Sequence, residues 1–238
     1  MAPDTTVCLA YVHDVEVAYS WHRSVIDLIG WDAQHHQRVV AGGGWFGMRH
    51  GTGGIVEARN KVAAAFCEGE AEWLFWIDTD MGFPPDTVDR LIASADPAER
   101  PVVGGLCFAQ VETELDGMGG FRCTPRPTLY GWGQKESGEQ GFAPMYDYPA
   151  NQLVEVAGTG SACILIHRTA LEKVAAEHGP NWYTRMLNPS TGTLLGEDMS
   201  FCARLLAMGV PMHVDTRVKT THLKHLWLSE VDYRPDGA

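Results

Sequence analysis

Residues 73–77, WLFWI, form an unbroken apolar run that stops at Asp78-Thr79-Asp80, with Gly82 and the pair Pro84-Pro85 close behind. A short apolar run bounded by turn residues reads as a buried strand. The two carboxylates at its end then need water, a partner or a cation. Other stretches follow the same plan. TTVCLAYV, residues 5–12, is a second such strand and ends at His13-Asp14. VEVAYSWHRSVIDLIG, 15–30, sets Val17, Trp21, Val25, Leu28 and Ile29 at helical spacing, with Gly30 as its expected stop. HQRVVAGGG, 36–44, reads as a short strand and a turn, and WFGMRHGTGG, 45–54, as a Gly-rich loop. GIVEARNKVAAAFCEG, 54–69, reads as a helix with Ile55, Ala58, Val62 and Phe66 on one face. PDTVDRLIASA, 85–95, is expected to be a helix and RPVVGGLCFA, 100–109, a strand.

Strands alternating with helices imply a mostly parallel sheet covered on both faces. Ligands of such sheets bind beyond the carboxyl ends of the strands, so Asp14, the Gly-rich loop and the Asp78/Asp80 pair should gather on one edge. Residues 111–152 are rich in Gly, Pro and aromatics with little periodicity, and read as loops and short antiparallel strands. LVEVAGTGSACILIHR returns to strand, interrupted by Gly158-Thr159-Gly160. RTALEKVAAEHG and GEDMSFCARLLAMGV read as helices, and PMHVDTRVKTTHLKH as a final strand. With no linker or repeat, residues 1–238 are expected to form one domain, 1–110 a nucleotide-binding half and 111–238 an acceptor half.

The formal net charge of -12 argues against binding a nucleic-acid backbone. None of the six cysteines lies in a CxxC pair, and most sit in apolar contexts, as reduced core thiols do. No signal peptide is recognisable, and no apolar run approaches the ~20 residues of a membrane helix. The expectation is a soluble cytoplasmic protein without a transmembrane segment.

Four groups of residues carry chemistry. Asp78 and Asp80 follow a buried strand and precede Gly82 with no cation nearby in sequence. That placement favours Mg²⁺ or Mn²⁺ over a helix cap. Glu197-Asp198 opens a helix, where the backbone dipole alone would favour acids, but it follows the flexible TGTLLG. His222 and His225 lie three apart on an extended segment, so at most one faces a site, and a histidine beside carboxylates suits Mn²⁺ better than Mg²⁺. Arg59-Asn60 offers a guanidinium and an amide to a nucleotide. Gly42-Gly43-Gly44 is a weak phosphate-cradle signal without a P-loop lysine. Trp73 and Trp76 are expected in the core. Trp45, Trp132 and Trp182 sit in loop-like contexts, where stacking on a sugar or base and ordinary packing are equally supported.

Taken in order, the first strand, the ARN-bearing helix, the xxhhDxD strand, the hGTGxxhhhxR strand, the ED-bearing helix and the late histidine resemble a GT-A fold glycosyltransferase, in particular small stand-alone family-2-like enzymes. The resemblance covers most of residues 5–228. It implies a Rossmann-like GT-A sheet with a smaller antiparallel acceptor side. It also implies transfer of a hexose-type sugar from a UDP- or GDP-linked donor to a glycan, protein or small-molecule hydroxyl. On that resemblance Asp78, Asp80 and His222 match the metal site for Mn²⁺ or Mg²⁺. Asp78 and Thr79, with Asp14, Arg59, Asn60 and the Gly158-Thr159-Gly160 turn, match the donor-nucleotide site. Asp198, with Glu197, matches the acidic pair whose aspartate is the base of inverting members. The amino-terminal strand lacks the common proline-rich nucleotide loop. A sugar-nucleotide-forming nucleotidyltransferase is an alternative, suggested by VVAGGGWFGMR, although its loop would directly follow the first strand. A phosphohydrolase with a nucleophilic DxD fits DTDMGFPP poorly. A non-catalytic nucleotide-sugar binding module is the alternative of a different class.

Overall fold

The computed structural model describes residues 4–114, 121–134 and 138–225. Its frame is a seven-stranded sheet in the order β10-β13-β5-β12-β3-β1-β2. These strands are β1 (Val7–His13), β2 (Trp45–Arg49), β3 (Trp73–Ile77), β5 (Val102–Leu106), β10 (Leu153–Val156), β12 (Cys163–His167) and β13 (Met212–Lys219). β2, β1, β3, β5 and β13 run in one direction, while β12 and β10 oppose their neighbours. The sheet draws strands from both halves of the sequence.

The apolar run that opened the sequence is buried at all five positions because helices cover both faces. Leu74 and Trp76 face one side, with α2 (Gly54–Glu68), α4 (Arg168–His178) and α5 (Glu197–Ala207), packing on Val62, Phe66, Leu171 and Phe201. Trp73, Phe75 and Ile77 face the other, with α1 (Tyr19–Gln34) and α3 (Thr87–Ser94), packing on Trp21, Leu28 and Leu91. Each large side chain removed from water this way contributes ~1.5–3 kcal/mol. Trp73 and Trp76 are core residues, as expected, and Trp182 joins them, with its indole N–H donating to Leu171 O.

Beyond residue 107 the chain builds small antiparallel units. β6 (Phe108–Glu114) pairs with β7 (Phe121–Pro127), and β8 (Leu129–Gln134) lies between β9 (Gln140–Pro144) and β11 (Gly158–Thr159). This agrees with the sequence expectation, although residues 115–120 and 135–137 of that region lie outside the described set. Two short strands, β4 (Met81–Gly82) and β14 (Thr221–His222), pair separately.

Three local expectations are corrected. α1 continues through Gly30 to Gln34, since Gly30 faces open space and Trp31 and Asp32 still make tertiary bonds. Residues 38–43 form one π-helical turn instead of a strand. The buried Asp32 carboxylate accepts the backbone N–H groups of Arg38, Val39 and Val40 at 2.8, 3.0 and 2.9 Å, which removes them from any ladder. The strand is displaced to WFGMR, the edge strand β2. Gly43 is needed where the chain crosses β1, because a Cβ there would overlap the Val7 carbonyl. The terminal strand ends at Lys219, and its continuation pairs with β4 in a separate ribbon.

Candidate active site

The carboxyl end of β3 opens directly into the site. Asp78 N–H donates to Ala162 O at 3.0 Å, and Met81 N–H returns to Asp78 O at 3.1 Å, closing a tight turn whose Thr79 carbonyl accepts Ala18 N–H at 2.8 Å. The chain then enters β4, where Gly82 lies opposite Thr221 and Met81 opposite His222. Only glycine fits at 82: a Cβ would stand 2.5 Å from Thr221 Oγ1 and 3.3 Å from Ser20 Cβ.

This pairing delivers His222 to Asp80, Nε2 to Oδ2 at 2.9 Å. The other ring nitrogen, Nδ1, lies 2.7 Å from Phe108 O. A carbonyl only accepts, so Nδ1 carries a proton, and Nε2 is the nitrogen presented to the carboxylate. At 2.9 Å the imidazole nitrogen and the carboxylate oxygen are spaced for a shared proton or a shared cation. A histidine fixed by a backbone carbonyl and paired with a carboxylate is the arrangement metal-binding histidines adopt. Lys224 Nζ also donates to Asp80 Oδ2, at 2.8 Å, and Leu223 N–H donates to Asp80 O at 2.8 Å. Burial pushes the Asp80 carboxyl up, but the hydrogen bonds from His222 and Lys224 outweigh it and hold it below the ordinary carboxylate range.

Arg59 lies beneath the edge, 1% exposed. Its Nη2 donates to Asp78 Oδ1 at 2.9 Å, and its Nη1 lies 3.8 Å from Asp198 Oδ1. The guanidinium is held between the rings of Trp76 and Tyr183, with its carbon 5.1 and 5.4 Å from their centroids. Burial opposes its charge, yet Asp78 and Asp198 outweigh burial and keep it firmly cationic. For Asp78, burial is the larger influence. With the Asp198 and Asp80 charges it pushes the carboxyl up to about 6 against the pull of Arg59 and His222. Asp198 Oδ1 and Arg59 Nη1 are buried without a hydrogen bond. Asp78, Asp80 and Asp198 thus converge on one edge with the Arg59 guanidinium, the Lys224 ammonium and the His222 imidazole.

Asp198 occupies the first turn of α5, where the helix dipole favours it and no side chain caps Gly196. Glu197 turns toward Arg185, 3.5 Å away. Gly160 borders Asp198: a Cβ there would lie 3.8 Å from Asp198 Oδ2. Gly158 must be glycine because a Cβ would lie 2.8 Å from the Phe142 ring, and buried Thr159 bonds the Cys202 thiol through its backbone.

The structure therefore brings together Asp78, Asp80, Asp198, His222 and Gly160. The other expected residues take the following places. Asp78 is engaged by Arg59, whereas Asp80 and His222 face each other. Among the described residues no cluster of three or more His, Cys, Asp or Glu is spaced to hold an ion. Arg59 is too buried to meet a nucleotide and instead positions the two aspartates. Asn60 accepts Tyr183 N–H and donates to Thr184 Oγ1, pinning that segment. Asp14 stands 60% exposed at the end of β1, near Arg49 and His50 at 4.0 and 3.9 Å. His225 is exposed. The Gly42–Gly44 run serves the π turn and the close crossing of β1. Lys224, Tyr183 and Arg185 were missed. For Lys224 the available signal was its place two residues after His222.

Two clefts flank the cluster. One, of about 450 Å³, lies among Tyr130, Gln140, Phe142, Asn188 and Met199, the neighbour of Asp198. The other, of about 410 Å³, lies among Phe108, Gln110, Cys123, Thr220, His222 and Lys224.

No protein-family model matches the chain, and no curated protein matches it. Among solved structures, GalNAc-T7 with UDP, GalNAc and Mn2+ is similar at TM-score 0.59 and 11% identity, over 93% of this chain and 43% of that one. A protein from STIV is similar at TM-score 0.49 and 15% identity, over 93% of this chain and 87% of that one. A glycosyltransferase involved in the glycosylation of the major capsid of PBCV-1 is similar at TM-score 0.34 and 14% identity, over 73% and 68%. The chain spans less than half of GalNAc-T7. The fold is the GT-A-like, Rossmann-like one of glycosyltransferases. No helix among the described residues is long and apolar enough to cross a membrane.

Proposed function

We propose that the chain is a metal-dependent glycosyltransferase acting as a single domain. It would move a sugar from a nucleoside-diphosphate donor to the hydroxyl of a glycan, protein or small molecule. The observation that carries this reading is the meeting of Asp80, His222, Asp78 and Asp198 on the carboxyl edge of a GT-A-like sheet. Asp80 and His222 would hold Mn²⁺ or Mg²⁺, which when bound neutralises the donor diphosphate and the leaving nucleoside diphosphate. Asp78, fixed by Arg59, stands beside them on the donor side with Thr79. Gly160, which borders Asp198, would lie beside the donor sugar. Asp198 takes the proton from the acceptor hydroxyl as that oxygen attacks the anomeric carbon from the face opposite the departing nucleoside diphosphate, so the donor bond breaks as the new glycosidic bond forms and the reaction is inverting. The UDP, GalNAc and Mn²⁺ held in the GalNAc-T7 structure support UDP-linked sugars and Mn²⁺ as the first donor and metal to try. All six cysteines are unpaired thiols, which supports a reducing, cytoplasmic setting for the same reading.

The test is release of nucleoside diphosphate from a panel of UDP- and GDP-sugars with Mn²⁺ and mixed acceptors. Release by the wild type that Asp80→Ala and Asp198→Asn both abolish is expected. Equal release by wild type and both variants, or none from any donor, overturns the reading.

A further inference from the structure

The Asp80 oxygen that faces His222 Nε2 at 2.9 Å is the same oxygen that receives Lys224 Nζ at 2.8 Å. One carboxylate oxygen is thus the focus of an imidazole and an ammonium, and the ammonium takes the oxygen that a cation held by Asp80 would need. Lys224 is free to leave. Its side chain is 36% exposed, it is carried on a flexible stem, and its backbone is held independently by the Leu223 N–H bond to Asp80 O. The cleft lined by Phe108, Gln110, Cys123, Thr220 and His222 opens directly beside it, and among the described residues on its walls Lys224 is the one lysine or arginine.

Resting on the reading above, we propose that Lys224 is a displaceable stand-in for the divalent cation and a ligand of the donor diphosphate. Arrival of the cation at Asp80 and His222 drives the ammonium off by like-charge repulsion. The ammonium, with three donors and no carboxylate left to it, then takes a phosphate oxygen of the nucleoside diphosphate. The two roles pull in opposite directions: Lys224 weakens metal binding in the absence of nucleotide and strengthens nucleotide binding in the presence of metal.

That opposition is the test. MnCl₂ alone, and then UDP in saturating MnCl₂, are titrated calorimetrically into wild type, Lys224→Gln and Lys224→Arg. Lys224→Gln is expected to bind Mn²⁺ about fivefold tighter and UDP roughly tenfold weaker than wild type, the scale of one partly exposed charge contact and one charge-assisted hydrogen bond. Lys224→Arg, which keeps the charge, should stay near wild type in both. Thermal melting of the three proteins checks that they are equally folded. Mn²⁺ binding that is unchanged or weaker in Lys224→Gln overturns the proposal while leaving the glycosyltransferase reading intact. Failure of wild type and Lys224→Gln alike to bind Mn²⁺ and UDP overturns both.

Discussion

The guanidinium of Arg59 lies 2.9 Å from the carboxylate of Asp78, and almost none of it reaches solvent. The pair joins the sheet to the chemistry, because the same guanidinium extends toward Asp198 on the opposite wall. Removing it strands two carboxylates in a poorly solvated edge. Arg59→Met is expected to cost about 3–5 kcal/mol of stability, as the loss of one partner from a buried charge pair does. Urea denaturation measures it. A loss below about 1 kcal/mol would show that water already solvates both acids.

Asp198→Asn separates chemistry from binding. The amide keeps the shape but cannot take a proton, so turnover should fall roughly 10²–10⁴-fold. Affinity for UDP with Mn²⁺ should change little. Parallel loss of binding and turnover would reassign Asp198 to the donor site.

Gly82→Ala tests the delivery of His222. The new Cβ meets Thr221 Oγ1 and should lever β14 away from β4, moving His222 off Asp80. Mn²⁺ affinity is expected to drop ~10-fold or more, as it does when the support of a metal ligand is lost. Thr221→Ala in the same chain should recover part of it. Normal Mn²⁺ affinity in Gly82→Ala alone would detach the ribbon from the site.

Away from the site, Asp215 predicts a pH signature. Burial pushes its carboxyl up, but hydrogen bonds from Arg217 and Ser94 outweigh burial and hold it below the ordinary range. A depressed carboxylate pKa contributes stability that is fully present above the unfolded value near 4 and is lost as pH falls through the folded value. Asp215→Asn should therefore cost ~1–3 kcal/mol at pH 7 and progressively less as the medium is acidified below pH ~4. A cost independent of pH would point to shape instead of charge.

The alternation of buried strands and helices was legible because helices on both faces leave β1, β3 and β12 almost uniformly apolar. The error over residues 36–54 came from a side chain outside the strand pattern: Asp32 takes the backbone donors of Arg38, Val39 and Val40, and local propensity carries no trace of that. Asp78, Asp80, Asp198 and His222 could be nominated because each sits at the end of a recognisable element. Their division of labour could not be read. Arg59 lies one turn into a helix that reads as amphipathic, and only the packing of Trp76 and Tyr183 around it shows that it is buried. Lys224 reaches Asp80 because β14 pairs with β4, a contact between residues far apart in the chain.

The central claim is that Asp80 and His222 hold a divalent cation for a nucleoside diphosphate. Calorimetric titration of UDP and GDP into wild type and Asp80→Ala, each with Mn²⁺ and with EDTA, tests it most directly. The account predicts binding of one nucleotide that requires Mn²⁺, disappears in EDTA and is absent from Asp80→Ala. Binding that is indifferent to EDTA and to the substitution, or no binding under any condition, would contradict it.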